Sequence, residues 1–252
     1  MIFFDSNCCL GKLSVPMPKS IETATELIDI MEKAGIEKSL VYHSFAKEYD
    51  PTFGNRKLME VLTSFLRSCV GTSKNLYPCL VLVPHHTGEM PEPEKIVCEI
   101  LEKNIRAVRI FPKTHNWSLS EWCSGKLLNE LEQNAIPLFI DFEETNWDQL
   151  YSLCDNHPNL PIVLTRASFR FNRQIYALLS KTQNLYIETS HFQLHCGIED
   201  VCKKFGANRL LFGSSAPFFA PSPSMMAVKY ANISEEEKEM IAGKNLIKLL
   251  KL

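Results

Sequence analysis

A single (β/α)8 barrel of the α/β class is the fold this sequence predicts, and three observations predict it. Eight short runs of β-forming residues recur along the chain, and stretches of helical period separate them. The length of 252 residues suits one closed eightfold barrel. No Pro- or Ser-rich linker, repeat or low-complexity tract interrupts the pattern, so residues 1–252 read as one domain. An open doubly wound sheet is the competing architecture. No GxGxxG follows any strand, which counts against its dinucleotide-binding form.

In chain order the predicted strands are Ile2–Phe4, Ser39–His43, Tyr77–Val83, Ala107–Phe111, Pro137–Asp141, Ile162–Thr165, Leu185–Glu188 and Leu210–Phe212. After the first strand, Ser20 is placed to cap a helix. Its apolar positions Ile21, Ala24, Leu27, Ile28, Met31 and Ala34 follow the 3.6-residue period, and Gly35 ends it. Between the fourth and fifth strands, Ser118 and Glu121 form a capping-box pair ahead of Leu127, Leu128 and Leu131. Pro221-Ser-Pro223 follows the last strand and reads as a loop that could cover that end as a lid. Ser234 and Glu237 repeat the capping pattern before Met240 and Ile241.

Composition narrows the function classes. The chain is 45% hydrophobic and 22% charged, the balance of an ordinary soluble globular protein. With 27 basic and 29 acidic residues the net charge is −2, so no overall field favours nucleic acid or an anionic membrane. No apolar run approaches the roughly 20 residues that span a bilayer. Met1-Ile-Phe-Phe-Asp5 lacks the basic start of a secretory signal, which leads us to expect a cytoplasmic protein. Nine cysteines, an odd number without any CxxC, read as reduced and mostly buried thiols, with Cys98 in Lys95-Ile-Val-Cys-Glu-Ile as an example. No cluster has the spacing of a structural zinc site. No pattern fixes whether the chain forms oligomers.

Several segments together carry a family resemblance. The opening Phe4-Asp-Ser-Asn-Cys-Cys-Leu-Gly11 is similar to a first strand of the form Asp-x-His-x-His-x-Gly. Tyr49-Asp-Pro with Gly54-Asn55, Val108-Arg-Ile-Phe-Pro112, Ile136-Pro-Leu, Phe205-Gly-Ala-Asn-Arg-Leu-Leu-Phe-Gly213 and Ile241-Ala-Gly-Lys-Asn245 extend the similarity over nearly the whole chain. In this order they resemble the amidohydrolase-related family of metal-dependent barrels. The resemblance implies a (β/α)8 barrel with hydrolase or decarboxylase activity and a zinc or other divalent ion at the strand ends.

The ligand positions that the resemblance implies are all changed here. The two first-strand histidines fall on Asn7 and Cys9, the fifth-strand histidine near Asp141, and the sixth-strand histidine near Arg166. The eighth-strand aspartate falls on Ser215. A neutral hydroxyl is a poor ligand for a hard cation, and a permanently charged guanidinium would repel one. The expectation is therefore no metal cofactor, and with it no metal-activated water.

Barrel chemistry gathers at the C-terminal ends of the strands. Period-two alternation puts Asp5, Asn7 and Cys9 on one side of the first segment, and Asp141 with Glu143 on one side of the fifth. His43, Arg109, Arg166, Glu188, His191 and Ser215 lie at or near other strand ends. Proton transfer is assigned to Asp141, Glu143 and His191. Substrate contacts are assigned to Asp5, Asn7, Cys9, His43, Arg109, Arg166, Glu188 and Ser215. In the opposing reading the carboxylates and arginines neutralise one another, with Arg166 taking the charge a metal would supply.

Weaker patterns remain open. His191-Phe-Gln-Leu-His195 has the spacing of helical metal ligands but lacks a glutamate and further ligands. His85-His86 reads as a solvated loop pair. Cys9 could be a nucleophile with His43 or His191 as base, against the plainer reading of a buried small thiol. Gly213-Ser-Ser-Ala is not GxSxG, so no nucleophile elbow is indicated. The reading that follows is a divergent barrel enzyme, hydrolase or decarboxylase-like, acting on a small anionic molecule without the usual metal. The alternative is a non-catalytic ligand- or partner-binding barrel that has lost its metal.

Overall fold

The computed structural model describes residues 1–17, 20–68 and 75–252, the side chains of 66–68 excepted. Eight parallel strands follow one another around a barrel in sequence order. They are β1 (Phe3–Leu10), β2 (Ile36–His43), β3 (Asn75–Val81), β4 (Ala107–Ile110), β5 (Leu138–Asp141), β6 (Ile162–Thr165), β7 (Leu185–Glu188) and β8 (Leu210–Leu211). Ser6 N donates to Phe212 O at 3.0 Å and Cys9 N to Ala216 O at 2.8 Å, which joins β1 to the segment after β8 and closes the ring.

The helices are α1 (Ala24–Ala34), α2 (Ser44–Glu48), α3 (Pro51–Ser68), α4 (Pro93–Glu102), α5 (Glu121–Gln133), α6 (Trp147–Asn156), α7 (Asn172–Lys181), α8 (Gly197–Phe205), α9 (Pro221–Lys229), α10 (Glu235–Glu239) and α11 (Asn245–Leu250). Strand alternation divides the core into two shells. Val108, Ile110, Leu138, Ile140, Ile162 and Leu164 pack outward under the helices. Phe4, Cys9, Tyr42, Val81, Phe111, Phe139 and Val163 fill the barrel. Leu246 and Leu250 of α11 join that inner cluster beside Phe4 and stop the N-terminal end. The C-terminal end is left as the mouth.

Several local expectations shift. α1 is capped by Thr23 rather than Ser20. Thr23 accepts from Glu26 N, and the Glu26 carboxylate takes Thr23 N, while Ile21 is held in the barrel-side chain path by accepting from Gly11 N. Gly35 does end α1, with φ 77°. α5 starts at Glu121 after Ser120, because the Ser118 hydroxyl turns to Ser120 N instead of capping. The box of Ser234 and Glu237 forms as expected. Pro221-Ser-Pro223 begins a helix, α9, instead of forming a loop lid, since proline fits the first helical turn where no N–H bond is needed.

Cys8, Cys9, Cys79, Cys154 and Cys202 are buried, but Cys98 is exposed. α4 buries Val97 and Ile100, so Cys98, one residue on from Val97, is turned about 100° away from the core. Every described cysteine is free, and Cys69 lies outside the described residues. No helix among the described residues is long and apolar enough to cross a membrane.

Candidate active site

The site begins with an irregularity in β1. Its pairing with β2 shifts register between Asp5 and Cys8. Phe4 and Cys9 both lie in the inner cluster although they are five positions apart, an odd offset that an unbroken period of two forbids. The shift turns Asn7 and Cys9 inward and turns Asp5 elsewhere. Asp5 Oδ1 accepts from Asn7 N at 3.0 Å and Ser214 N at 2.9 Å, and the carboxyl lies beside Cys8. The common side expected for Asp5, Asn7 and Cys9 therefore fails for Asp5. Burial raises the Asp5 pKa against the lowering effect of the Ser214 bonds, and Oδ2 has no hydrogen-bond partner among the described residues.

Arg109 is the hub inside the barrel. It is 1% exposed, with Nη1 donating to Asp141 Oδ1 at 2.7 Å and Nη2 to Asn7 Oδ1 at 2.9 Å. Tyr42, Phe139 and Phe111 surround the guanidinium with ring centroids at 4.6, 5.7 and 5.9 Å. Asp141 also accepts from Thr165 Oγ1 at 2.5 Å, with Lys47 Nζ at 3.4 Å and Arg166 Nη1 at 3.9 Å. Burial pushes the Asp141 pKa up, but Arg109, Lys47, Thr165 and Arg166 together hold it below the ordinary carboxylate value. It is the anion of a buried ion cluster.

β5 ends at Asp141, and residues Phe142–Glu144 turn into a 3₁₀ segment. Glu143 is consequently exposed, whereas Glu144 is buried and accepts from Thr114. The shared face expected of Asp141 and Glu143 does not extend past the strand end. Cys9 contacts Tyr42, and burial pushes its thiol up to about 12. His43 Nδ1 accepts from Phe45 N at 3.1 Å and caps α2, and burial followed by Lys57 pulls its pKa to about 4. A protonated thiol with no hydrogen bond to His43 or His191 among the described residues is not arranged as a nucleophile.

The outer layer of the mouth comes from the loops after β6, β7 and β8. Glu188 is fully buried and its carboxylate receives four donors: Asn7 Nδ2 at 3.1 Å, Arg166 N at 3.3 Å, Ser190 Oγ at 2.8 Å and Ser190 N. Burial nevertheless raises its pKa to about 7. Arg166 adopts left-handed backbone geometry, φ 57°, and rests its guanidinium 5.1 Å from the Phe218 ring centroid. Its side chain is 18% exposed, and 3.9 Å from Asp141 is too long for a hydrogen bond. His191 Nδ1 lies 2.9 Å from Ser190 Oγ, with the ring edge-on to Phe219 at 4.5 Å. Burial and Arg166 lower its pKa. Ser215, also left-handed at φ 57°, accepts from Phe218 N at 3.0 Å and Phe219 N at 3.3 Å through its backbone oxygen, and so holds the backbone that carries both rings.

Bonds thus connect Asn7, Arg109, Asp141, Arg166 and Glu188 directly, and Ser190 links His191 to them. Asp5 and Ser215 border the same end; Cys9 lies among the inner side chains, and Glu143 is on the rim. The pair His191 and His195 is not helical, because the chain there forms turns up to α8. His85 pairs with Glu92 at 3.2 Å, and His86 Nε2 lies 2.9 Å from Cys123 O. Among the described residues no group of three or more His, Cys, Asp or Glu side chains could hold a metal ion. Sequence reasoning missed Lys47, Tyr42, Thr165, Ser190, Phe218 and Phe219. Lys47 was within reach of it, one turn beyond His43 at a strand end. Beside the mouth, a 410 Å³ recess is lined by Tyr49, Glu89, Thr114, His115 and Trp117 among others.

Comparison with known proteins adds the lineage. A family profile described as amidohydrolase matches residues 74–252. Comparison with curated proteins gives no match. Among solved structures, an uncharacterised TIM-barrel protein from Bordetella bronchiseptica superposes with a TM-score of 0.75 at 17% identity, covering 100% of this chain and 99% of the other. The 5-carboxyvanillate decarboxylase of Novosphingobium aromaticivorans, complexed with manganese and 4-hydroxy-3-methoxy-5-nitrobenzoic acid, gives 0.75 at 13% identity over 100% and 96%. A probable 2-pyrone-4,6-dicarboxylic acid hydrolase from Acinetobacter baumannii with citric acid bound gives 0.70 at 13% over 100% of both chains. At these identities the likeness shows a shared fold.

Proposed function

The chain belongs to the amidohydrolase family, and from that premise we propose that it binds a small carboxylate at the barrel mouth and acts on it as a hydrolase or decarboxylase without a metal ion. The observation that carries this reading is Arg166, a partly exposed guanidinium at the mouth whose one ion pair among the described residues is a long contact to Asp141. Its fork matches a carboxylate in bidentate fashion. Solved structures of like fold support the same reading, because the decarboxylase and the probable hydrolase described above hold an aromatic carboxylate and citric acid. Phe218 and Phe219 flank Arg166 and His191 and supply apolar walls for the rest of such a molecule.

The residues present do not fit the family's divalent ion. Asn7 and Asp141, at two of the positions that the resemblance gives to ligands, both accept hydrogen bonds from the Arg109 guanidinium. Arg166 adds a second positive charge beside Asp141. Cys9 keeps its proton, and Ser215 offers a neutral hydroxyl. A cation placed among these groups would have to displace Arg109 from its anion. The charge that the sequence suggested for Arg166 belongs chiefly to Arg109, which leaves Arg166 free for a ligand. Asp141, held as the counter-ion of Arg109, is then structural, and His191 is the proton-transfer group.

A second reading has its own observation. The charges of buried Asp141 and Arg109 and of half-buried Lys47 already satisfy one another, as they would in a barrel that binds a ligand without turning it over. The two readings separate on turnover. Calorimetric titration of wild type and Arg166→Ala with hydroxybenzoates and citrate tests the shared binding step. Loss of a charge-assisted contact of about 1.5–3 kcal/mol should weaken binding by roughly tenfold or more. Equal binding by both proteins, or by neither, would make Arg166 a structural ion-pair partner and end the proposal. Release of CO2 or of a hydrolysis product then decides between enzyme and binding barrel.

A further inference from the structure

We infer that Ser190 is a positioning residue that links the Glu188 carboxylate to His191 and holds the imidazole with its proton on Nδ1, leaving the Nε2 lone pair for the ligand. The inference rests on the reading of His191 as the proton-transfer group. Its geometry is explicit. Ser190 Oγ donates to Glu188 Oε2 at 2.8 Å and lies 2.9 Å from His191 Nδ1. A hydroxyl carries one hydrogen, and here it is directed at the carboxylate. With Glu188 ionised, above its pKa of about 7, the oxygen meets Nδ1 only as an acceptor, so Nδ1 carries the hydrogen.

The surroundings are shaped to hold this chain of bonds. Ser190 N also donates to Glu188 Oε1, so the loop folds back and both polar groups of Ser190 face one carboxylate. Thr189 N donates to Leu211 O at 3.0 Å and Phe192 N to Thr189 O at 3.1 Å, fixing the residues on either side. Asn7 Nδ2 and Arg166 N complete the coordination of Oε2. At β8 the chain passes so close that a Cβ on Gly213 would lie 2.3 Å from Glu188 Oε1. A glycine there makes the room that the carboxylate occupies. Phe219, edge-on to the His191 ring, limits its rotation.

The proton balance is simple. When Nε2 takes a proton from water or ligand, Nδ1 keeps its own, and the imidazolium charge faces Glu188 through the Ser190 hydroxyl. No proton needs to leave the chain of bonds. The other charged groups acting on His191 are Arg166, which opposes protonation, and Glu143 and Asp141, which favour it. None of these replaces the hydroxyl at Nδ1, so removing Ser190 should change the tautomer while their influence stays.

The test is ligand-free. Long-range ¹H–¹⁵N correlation spectra of labelled protein report the tautomer of each histidine, and His191→Gln identifies the His191 signals. Above about pH 8, where Glu188 is ionised and the imidazole is neutral, we expect wild type to show a protonated Nδ1 and a bare Nε2. In Ser190→Ala, with the fold verified by circular dichroism and melting, the Nδ1–H form should drop from the dominant to the minor species and the His191 pKa should fall. Ser190→Thr, which keeps a hydroxyl, should restore both. A wild-type His191 protonated on Nε2, or an unchanged tautomer and pKa in Ser190→Ala, would overturn the inference. Carboxylate binding through Arg166 is measured separately, so failure of the functional reading and failure of this linkage are distinguishable. If turnover is found, Ser190→Ala should lower kcat by at least about tenfold with KM nearly unchanged.

Discussion

Asn7 joins a cation to an anion. Its oxygen accepts from Arg109 Nη2 at 2.9 Å while its nitrogen donates to Glu188 at 3.1 Å, and a primary amide can do both at once. Asn7→Asp keeps the size but turns an acceptor toward Glu188, so two carboxylates would share one buried site. We expect a loss of about 2–3 kcal/mol at neutral pH, seen as a lower urea midpoint that recovers partly in acid. His43 and Glu188 give opposing pH terms. His43 has its pKa depressed from 6.5 to about 4, so the unfolded chain binds more protons between those values and this term stabilises the fold as pH rises through the window. Glu188 has its pKa raised from 4.5 to about 7, so the folded chain binds more protons there and stability falls as pH rises. Each term is of the order of 3 kcal/mol. The stability difference between wild type and His43→Gln should therefore move in favour of wild type from pH 4.5 to 6.5, measured by urea unfolding. A pH-independent difference would mean that His43 does not titrate as its buried capping role requires.

Among the elements, the end of β8 is tightly constrained. An added Cβ at Gly213 would meet Oε1, Cδ and Cγ of Glu188 at 2.3, 2.5 and 2.6 Å, and that side chain is fixed by four donors. Gly213→Ala should cost about 1–3 kcal/mol or more, measurable as a drop in melting temperature. It should also disturb the His191 tautomer. The helical layer has its own buried connection. His157, 1% exposed at the end of α6, sets Nδ1 3.1 Å from Glu132 Oε2 and Nε2 3.0 Å from Glu121 Oε1, both on α5. His157→Leu should destabilise by about 2–4 kcal/mol without altering carboxylate binding. A neutral result would show that this pair of contacts adds nothing to the α5–α6 packing.

These elements also show what the sequence could convey. Ile162–Thr165 and Leu185–Glu188 are legible to the residue, because short apolar runs between turn residues have no competing period. The sequence predicts the first strand only to Phe4, because Asp5-Ser-Asn7 is polar and the register shift destroys alternation, although β1 continues to Leu10. Asn7, Arg109 and Asp141 are all among the candidates that strand alternation offers, and of the three only Asp141 ends its strand. Their mutual bonding depends on contacts across 102 and 32 residues that no local pattern encodes. Ser190 carried no signal at all, being an ordinary serine between two candidate residues.

At the scale of the whole molecule, the barrel keeps a charged interior by balancing it internally. Arg109, Lys47 and Arg166 face Asp141, with Glu188 tied in through Asn7, and α11 seals the opposite end. A buried ion cluster of this kind adds little net stability over apolar packing, but removing one partner is costly. The chain is an amidohydrolase barrel in which one buried guanidinium bonds both Asn7 and Asp141, the positions that the resemblance gives to metal ligands. Elemental analysis of protein purified without added metal, paired with carboxylate titration before and after chelator treatment, tests this most directly. We expect no divalent metal at a stoichiometric level and binding that is unchanged by the chelator. One tightly held metal per chain, with carboxylate affinity lost when it is stripped, would contradict the assignment of that place to Arg109.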